Sequence, residues 1–202
     1  LRNVKYSPQQ VRQIIEAYWR IGKDEGVRPE VGFCQCLKET GYFTFETPNG
    51  KPGDVRPEQF NFCGLGATGG GNPGLSFTTI EDGVRAHLRH LRLYSEIDKI
   101  KAKTLNDRVT DPRGLPERLL GSAPTVEDLG GRWAPNPDYG VSIVRDYLAD
   151  LLATPEPQKQ TDWKQESVDW ARAKGYLTSD HDPLEQIDMG TLCAVLKNMV
   201  EK

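Results

Sequence analysis

From Pro29 to Thr40 the chain runs Pro-Glu-Val-Gly-Phe-Cys-Gln-Cys-Leu-Lys-Glu-Thr, and Gly41 follows. Proline suits the first position of a helix and glycine the residue after its end, so this segment is predicted to be a helix with both ends marked. Val31, Phe33, Cys34, Cys36 and Leu37 spread around most of its circumference. A helix apolar on most sides has no face for water and must be enclosed by other elements. The chain is therefore expected to be mainly α, assembled around this segment as a core helix.

The enclosing elements are legible on either side. Ser7-Pro8-Gln9-Gln10 supplies a cap, a first-turn proline and a glutamine three residues after the cap. Val11, Ile14, Ile15, Tyr18 and Trp19 then follow the rhythm of one buried helix face, with Gly22 or Gly26 as the stop. A third helix is expected from Thr78 as cap, with Glu81 completing a capping box. In it Ile80, Val84, Leu88, Leu91 and Tyr94 point inward and Arg85, Arg89 and Arg92 outward. A short fourth helix is expected after Thr125, with Asp128 in its first turn. A fifth follows Pro137, with Val141, Val144, Leu148 and Leu151 at helical spacing.

Between Phe45 and Leu75 the pattern is different. Thr47-Pro48-Asn49-Gly50-Lys51-Pro52-Gly53 and Gly69-Gly70-Gly71-Asn72-Pro73-Gly74 are turn sequences, with the apolar island Phe60-Asn61-Phe62-Cys63-Gly64-Leu65-Gly66 between them. An irregular stretch this long is a candidate functional region, with at most a short β-ribbon in it. Residues 1–154 form the main unit, and the Pro-rich stretch 155–160 reads as a linker. Residues 161–202 read as a small helical pair, Trp163 to Tyr176 and Met189 to Val200, around a turn at His181.

Composition narrows the chemistry. With 26 basic against 29 acidic residues the net charge is −3, which leaves no clustered positive charge for nucleic acid. No apolar run approaches the roughly 20 residues of a membrane helix. Cys34 and Cys36 lie on different faces of one helix and are expected to be buried, reduced thiols, as befits a reducing or anaerobic setting. His87 and His90 lack a third ligand at metal spacing, so neither a metal nor a cofactor is expected. The glycine clusters lack the strand and helix of a nucleotide loop. The chain begins at Leu1 rather than Met, which leaves room for a signal peptide or domain upstream.

Glu39 is the informative carboxylate. It ends an apolar helix, where the helix dipole is negative, and Tyr42 and Phe43 follow at once. Desolvation, the dipole and the aromatics all disfavour the charged form. Lys38, as a sequence neighbour, is expected on another side of the helix. A carboxyl that keeps its proton near neutral pH can act as a general acid.

Val31 to Phe43 resembles the active-site helix of bacterial endo-β-N-acetylglucosaminidase domains of peptidoglycan hydrolases. The similarity continues through Phe60 to Thr68, through Ser76-Phe77 and Glu81 to Leu91, and through Arg132-Trp133-Ala134 and Pro137-Asp138-Tyr139. Residues 6–152 are covered in order. The resemblance implies a lysozyme-like helical domain with a loop-rich groove, acting on cell-wall glycan. It further implies cleavage of the β-1,4 bond between N-acetylglucosamine and N-acetylmuramic acid. Glu39 would be the general acid, and Tyr139 would lie by the chemistry. Tyr42, Phe43, Asn61, Phe62, Gly64 and Trp133 would contact the sugars. Such an enzyme is secreted or wall-acting, as an autolysin, a sporulation or germination enzyme, or a phage endolysin. A muramidase or lytic transglycosylase on the same fold, and a non-catalytic wall-binding protein, are the alternatives. The tail from Trp163 shares residues with a single S-layer-homology-like module.

One element of the family pattern is missing. Several relatives carry a second acid in a hairpin between the Asn61 and Ser76 segments, yet Gly69 to Leu75 contains none. Glu58, Asp54 and Glu81 are the candidate replacements, with Glu46 and Asp82 also within range. The substrate's acetamide could serve as nucleophile instead.

Overall fold

The computed structural model describes residues 3–106, 114–153 and 169–174. The expected linker and most of the expected C-terminal pair, with His181 and Cys193, lie outside the described residues.

The chain is mainly helical. Helix α1 spans Pro8–Glu25, α2 Pro29–Glu39, α3 Ile80–Ser95 and α4 Lys99–Asn106. Helix α5, Tyr139–Ile143, continues through a π-helical turn at Val144–Leu148 into α6, Ala149–Ala153. Single 3-10 turns occur at Pro57–Gln59, Glu117–Leu119 and Glu127–Leu129. Among the described residues the only β structure is isolated bridges, such as Glu46 with Pro52. No helix among them is long and apolar enough to cross a membrane.

The sequence signals account for most of the ends. Ser7 and Gln10 close the expected capping box, and α1 ends at Gly26. Helix α3 is capped one residue later than expected. Thr79, not Thr78, accepts from the Asp82 amide at 3.1 Å, and its hydroxyl donates to Asp82 at 2.7 Å. Glu81 is thereby released from the box. The segment after Thr125 makes only the 3-10 turn, with Asp128 accepting from the Thr125 amide and hydroxyl.

Helix α2 is enclosed as its composition demands. Phe33, Cys34, Cys36 and Leu37 are buried against Ile14, Tyr18 and Ile21 of α1 and Val84 and Leu88 of α3. Each fully buried side chain of this size is worth roughly 1.5–3 kcal/mol of transfer free energy. Cys34, Cys36 and Cys63 are buried as thiols, and burial pushes Cys34 up to about 12.

The three arginines of α3 do not simply face solvent. Arg85 Nη1 and Arg89 Nε reach Glu25 Oε1 at 2.7 and 3.0 Å, and Arg92 donates to the Glu25 carbonyl. They clamp α3 to the end of α1, where the negative end of the helix dipole favours cations. Trp170, from residues 169–174, packs against the main core.

Candidate functional site

The buried helix α2 delivers its last residue, Glu39, to an open cleft of about 990 Å³. Residues 41–43 immediately after it form a left-handed turn: φ is +56° at Gly41, +60° at Tyr42 and +63° at Phe43. Non-glycine residues pay roughly 1–2 kcal/mol each in that region, so the surroundings must enforce it. Thr40 does much of this. Its hydroxyl donates to the Cys36 carbonyl at 2.8 Å and accepts the Phe43 amide at 3.0 Å. Its carbonyl takes the Phe45 amide at 2.9 Å. Phe43 is then buried against Tyr6 and Phe33, while Tyr42 is left on the cleft.

The side chain of Glu39 is exposed to the cleft, while its Oε1 meets the hydroxyl of the buried Tyr139. Its pKa is raised. Desolvation is the largest cause, opposed by the Tyr139 hydroxyl, the Lys38 charge and a hydrogen bond from Trp133. Tyr139 donates its hydroxyl to Glu39 Oε1, and Gln35 Nε2 donates to the Tyr139 oxygen at 2.9 Å. Tyr139 is itself buried. Its hydroxyl grips the carboxyl from behind rather than presenting a face to the groove.

Lys38 also departs from expectation. It lines the cleft, with its ammonium 5.5 Å from the Tyr139 ring centre and 5.8 Å from that of Tyr147. Cation–π attraction of this kind draws the flexible chain back over the rings. Tyr147 stacks on Tyr42 with centroids 5.4 Å apart. The pair forms one wall of the cleft. Tyr147 was not among the expected site residues, although it lies two helical turns beyond Tyr139 and so on its side of the helix.

The remaining expected residues divide sharply. Gly64 and Trp133 line the cleft with Glu39 and Tyr42. Phe43 and Phe62 do not: both are core residues, Phe62 fully enclosed between Tyr6 and Tyr18. Their aromatic area is spent on packing the floor below the cleft. Asn61 borders the cleft, but its amide is committed to the loop. Nδ2 donates to the Leu65 and Leu75 carbonyls at 2.8 and 3.0 Å, and Oδ1 accepts the Leu65 amide at 2.9 Å. It shapes the segment and has no donor left for a ligand.

The candidate second acids separate as well. Asp54 lines the same cleft as Glu39 and accepts the Gly71 amide at 3.1 Å. Glu58 is exposed and is not among the cleft-lining residues. Glu81 is paired with Arg20 and borders a different depression, between α1 and the start of α3. Glu46 lines the cleft but is tied to Lys5 at 2.9 Å and Asn3 at 3.3 Å.

His87 and His90 are both buried, and no group among the described residues could hold a metal ion. His87 bonds to Tyr18 and Gln35, while His90 packs its ring on Trp133 and Tyr94.

A protein of Borreliella burgdorferi described as uncharacterized is 36% identical over 150 residues, covering 74% of this chain and 67% of the relative. The two proteins belong to one family. No protein-family model matches the chain, and no solved structure does.

Proposed function

We propose that this chain is a peptidoglycan hydrolase, an endo-β-N-acetylglucosaminidase of lysozyme-like architecture with Glu39 as its general acid. The observation that carries the proposal is the setting of Glu39. A carboxyl whose pKa is raised by desolvation opens onto the cleft at the end of the core helix α2. A raised pKa shifts the carboxyl toward the range in which a general acid can deliver its proton. Once the proton passes to the leaving glycosidic oxygen, the new carboxylate is received by donors already in place, Tyr139 and Trp133, with Lys38 adjacent. Pre-set donors at the position where charge develops lower the barrier without reorganisation.

The cleft suits a glycan strand. Tyr42, Tyr147 and Trp133 offer flat apolar faces to pyranose rings, and Lys38 supplies a polar contact from the same lining. Asp54 is the acid that could activate water opposite Glu39, and the substrate acetamide is the alternative nucleophile. A wall-acting enzyme of this kind works outside the cytoplasm or is released by a phage.

Digestion of purified peptidoglycan followed by mass spectrometry tests the proposal. New reducing-end N-acetylglucosamine supports it. Reducing-end muramic acid would instead make the chain a muramidase, and anhydro-muramic ends a lytic transglycosylase. The absence of an acid between Gly69 and Leu75 favours one second reading, a wall-binding protein without turnover. Wall clearance equal to that of Glu39→Gln, with wall binding retained, would establish it.

A further inference from the structure

Behind Glu39 a line of polar side chains runs through the middle of the core. Tyr18 Oη lies 2.7 Å from His87 Nδ1, His87 Nε2 lies 3.0 Å from Gln35 Oε1, and Gln35 Nε2 lies 2.9 Å from Tyr139 Oη. Tyr139 then reaches Glu39. Tyr18, His87 and Gln35 have no exposed surface. They come from α1, α3 and α2, the three helices that pack together.

Packing alone does not call for these residue types. Burying an amide and an imidazole is costly for each group left unsatisfied, whereas Met and Phe would fill comparable space without that risk. What the polar chain adds is direction. His87 is held neutral, since burial and the neighbouring His90 push it down to about 3. A neutral imidazole has one N–H and one acceptor nitrogen. An ionised Glu39 can only accept, so Tyr139 must donate to it and its oxygen is free to accept from Gln35. The Gln35 carbonyl then accepts from His87 Nε2–H, and His87 Nδ1 accepts the Tyr18 hydroxyl. Every partner is satisfied in that one sense, and each bond polarises the next.

We propose that Gln35 and His87 are positioning residues, which through this buried hydrogen-bond chain hold the Tyr139 hydroxyl proton on Glu39. The catalytic consequence rests on the glycosidase proposal above; the orientation itself does not. The other groups facing Glu39 are Lys38 on its own helix, Cys36 one turn back and Trp133 from the preceding loop. Those facing His87 are His90 on its own helix and the Trp133 ring at 5.8 Å. None of them replaces the Gln35 amide behind Tyr139.

The test titrates Glu39 by NMR of its ¹³C-labelled side-chain carboxyl, assigned by its loss in Glu39→Gln, alongside the pH–rate profile on peptidoglycan. The variants are Gln35→Met, His87→Phe and His87→Gln, each checked for folding by thermal melt. Gln35→Met and His87→Phe remove support for the donor to the carboxylate, so the Glu39 midpoint should rise by roughly half a pH unit, and the alkaline limb of the rate with it. His87→Gln keeps an N–H for the Gln35 carbonyl and should leave both near their original positions. A midpoint that stays put in folded Gln35→Met overturns the proposal, whatever happens to the rate, and this variant decides alone if His87→Phe does not fold. A midpoint that moves in a protein that never cuts glycan sustains the positioning role and refutes the glycosidase reading instead.

Discussion

Tyr139 donates its hydroxyl to Oε1 of Glu39 across 100 positions of sequence. The contact joins the end of the core helix to the start of α5 and makes the acid part of the core's hydrogen bonding. Replacing Tyr139 by Phe removes a bond that favours the charged carboxyl, so the Glu39 pKa should rise further and the alkaline limb of activity should move to higher pH. The same change strands the Gln35 amide, a loss of about 1–3 kcal/mol of stability. A pH–rate profile and a urea titration read the two effects separately.

Glu39→Gln should cut glycan cleavage by about 10²–10⁴-fold while leaving the fold intact, the usual range for a lost general acid. Its stability has a defined sign. A carboxyl with a raised folded pKa contributes fully only below its unfolded value near 4.3 and loses that contribution as pH rises through the folded pKa. At neutral pH the glutamine variant should therefore melt no lower than the parent. Calorimetry at pH 7 checks this.

Glu25 carries the opposite linkage. Partial burial alone would raise its pKa, but the hydrogen bonds and charges of Arg89 and Arg85 outweigh this and lower it. Stability from the pair is present above the unfolded pKa near 4.3 and lost as pH falls through the lowered folded value. Glu25→Gln should cost about 1–3 kcal/mol at pH 7, because two guanidinium groups lose a shared, largely enclosed acceptor. The gap between the variants should close on acidification, as denaturant melts at pH 7, 4 and 3 would show.

Gly83→Ala should destabilise, against the helix propensity that favours alanine by about 1 kcal/mol. A Cβ on Gly83 would stand 1.9 Å from the Phe60 carbonyl oxygen, which is backbone and cannot swing aside. Moving that segment costs about 1–3 kcal/mol or more, enough to reverse the sign. It also shifts the Asn61–Leu65 loop at the cleft, so activity should fall together with the melting temperature.

What could be read from the chain followed how local each signal is. The enclosed helix, the Ser7 cap and the position of Glu39 rest on neighbouring residues and were visible. Helix α4 was not, since Ala102 is buried while Ile100 is exposed, and no apolar stripe runs along it. Phe43 and Phe62 carry the same aromatic signal as Tyr42 and Trp133. Only the fold decides which ring becomes floor and which becomes wall. The left-handed path through Tyr42 and Phe43 is hidden too, because these residues have no intrinsic preference for positive φ. Gln35 sits one turn before Glu39 and shares its face, yet its role depends on partners from α1, α3 and α5.

The neutrality of His87 has a consequence for how the protein responds to its surroundings. An imidazole that stays uncharged down to about pH 3 gives the scaffold no titration of its own across ordinary acidities. The line from Tyr18 to Tyr139 keeps a constant inventory of protons while Glu39 alone gains or gives one up. Within this line, acidification or alkalinisation of the medium thus acts at a single atom pair, where Tyr139 meets Glu39.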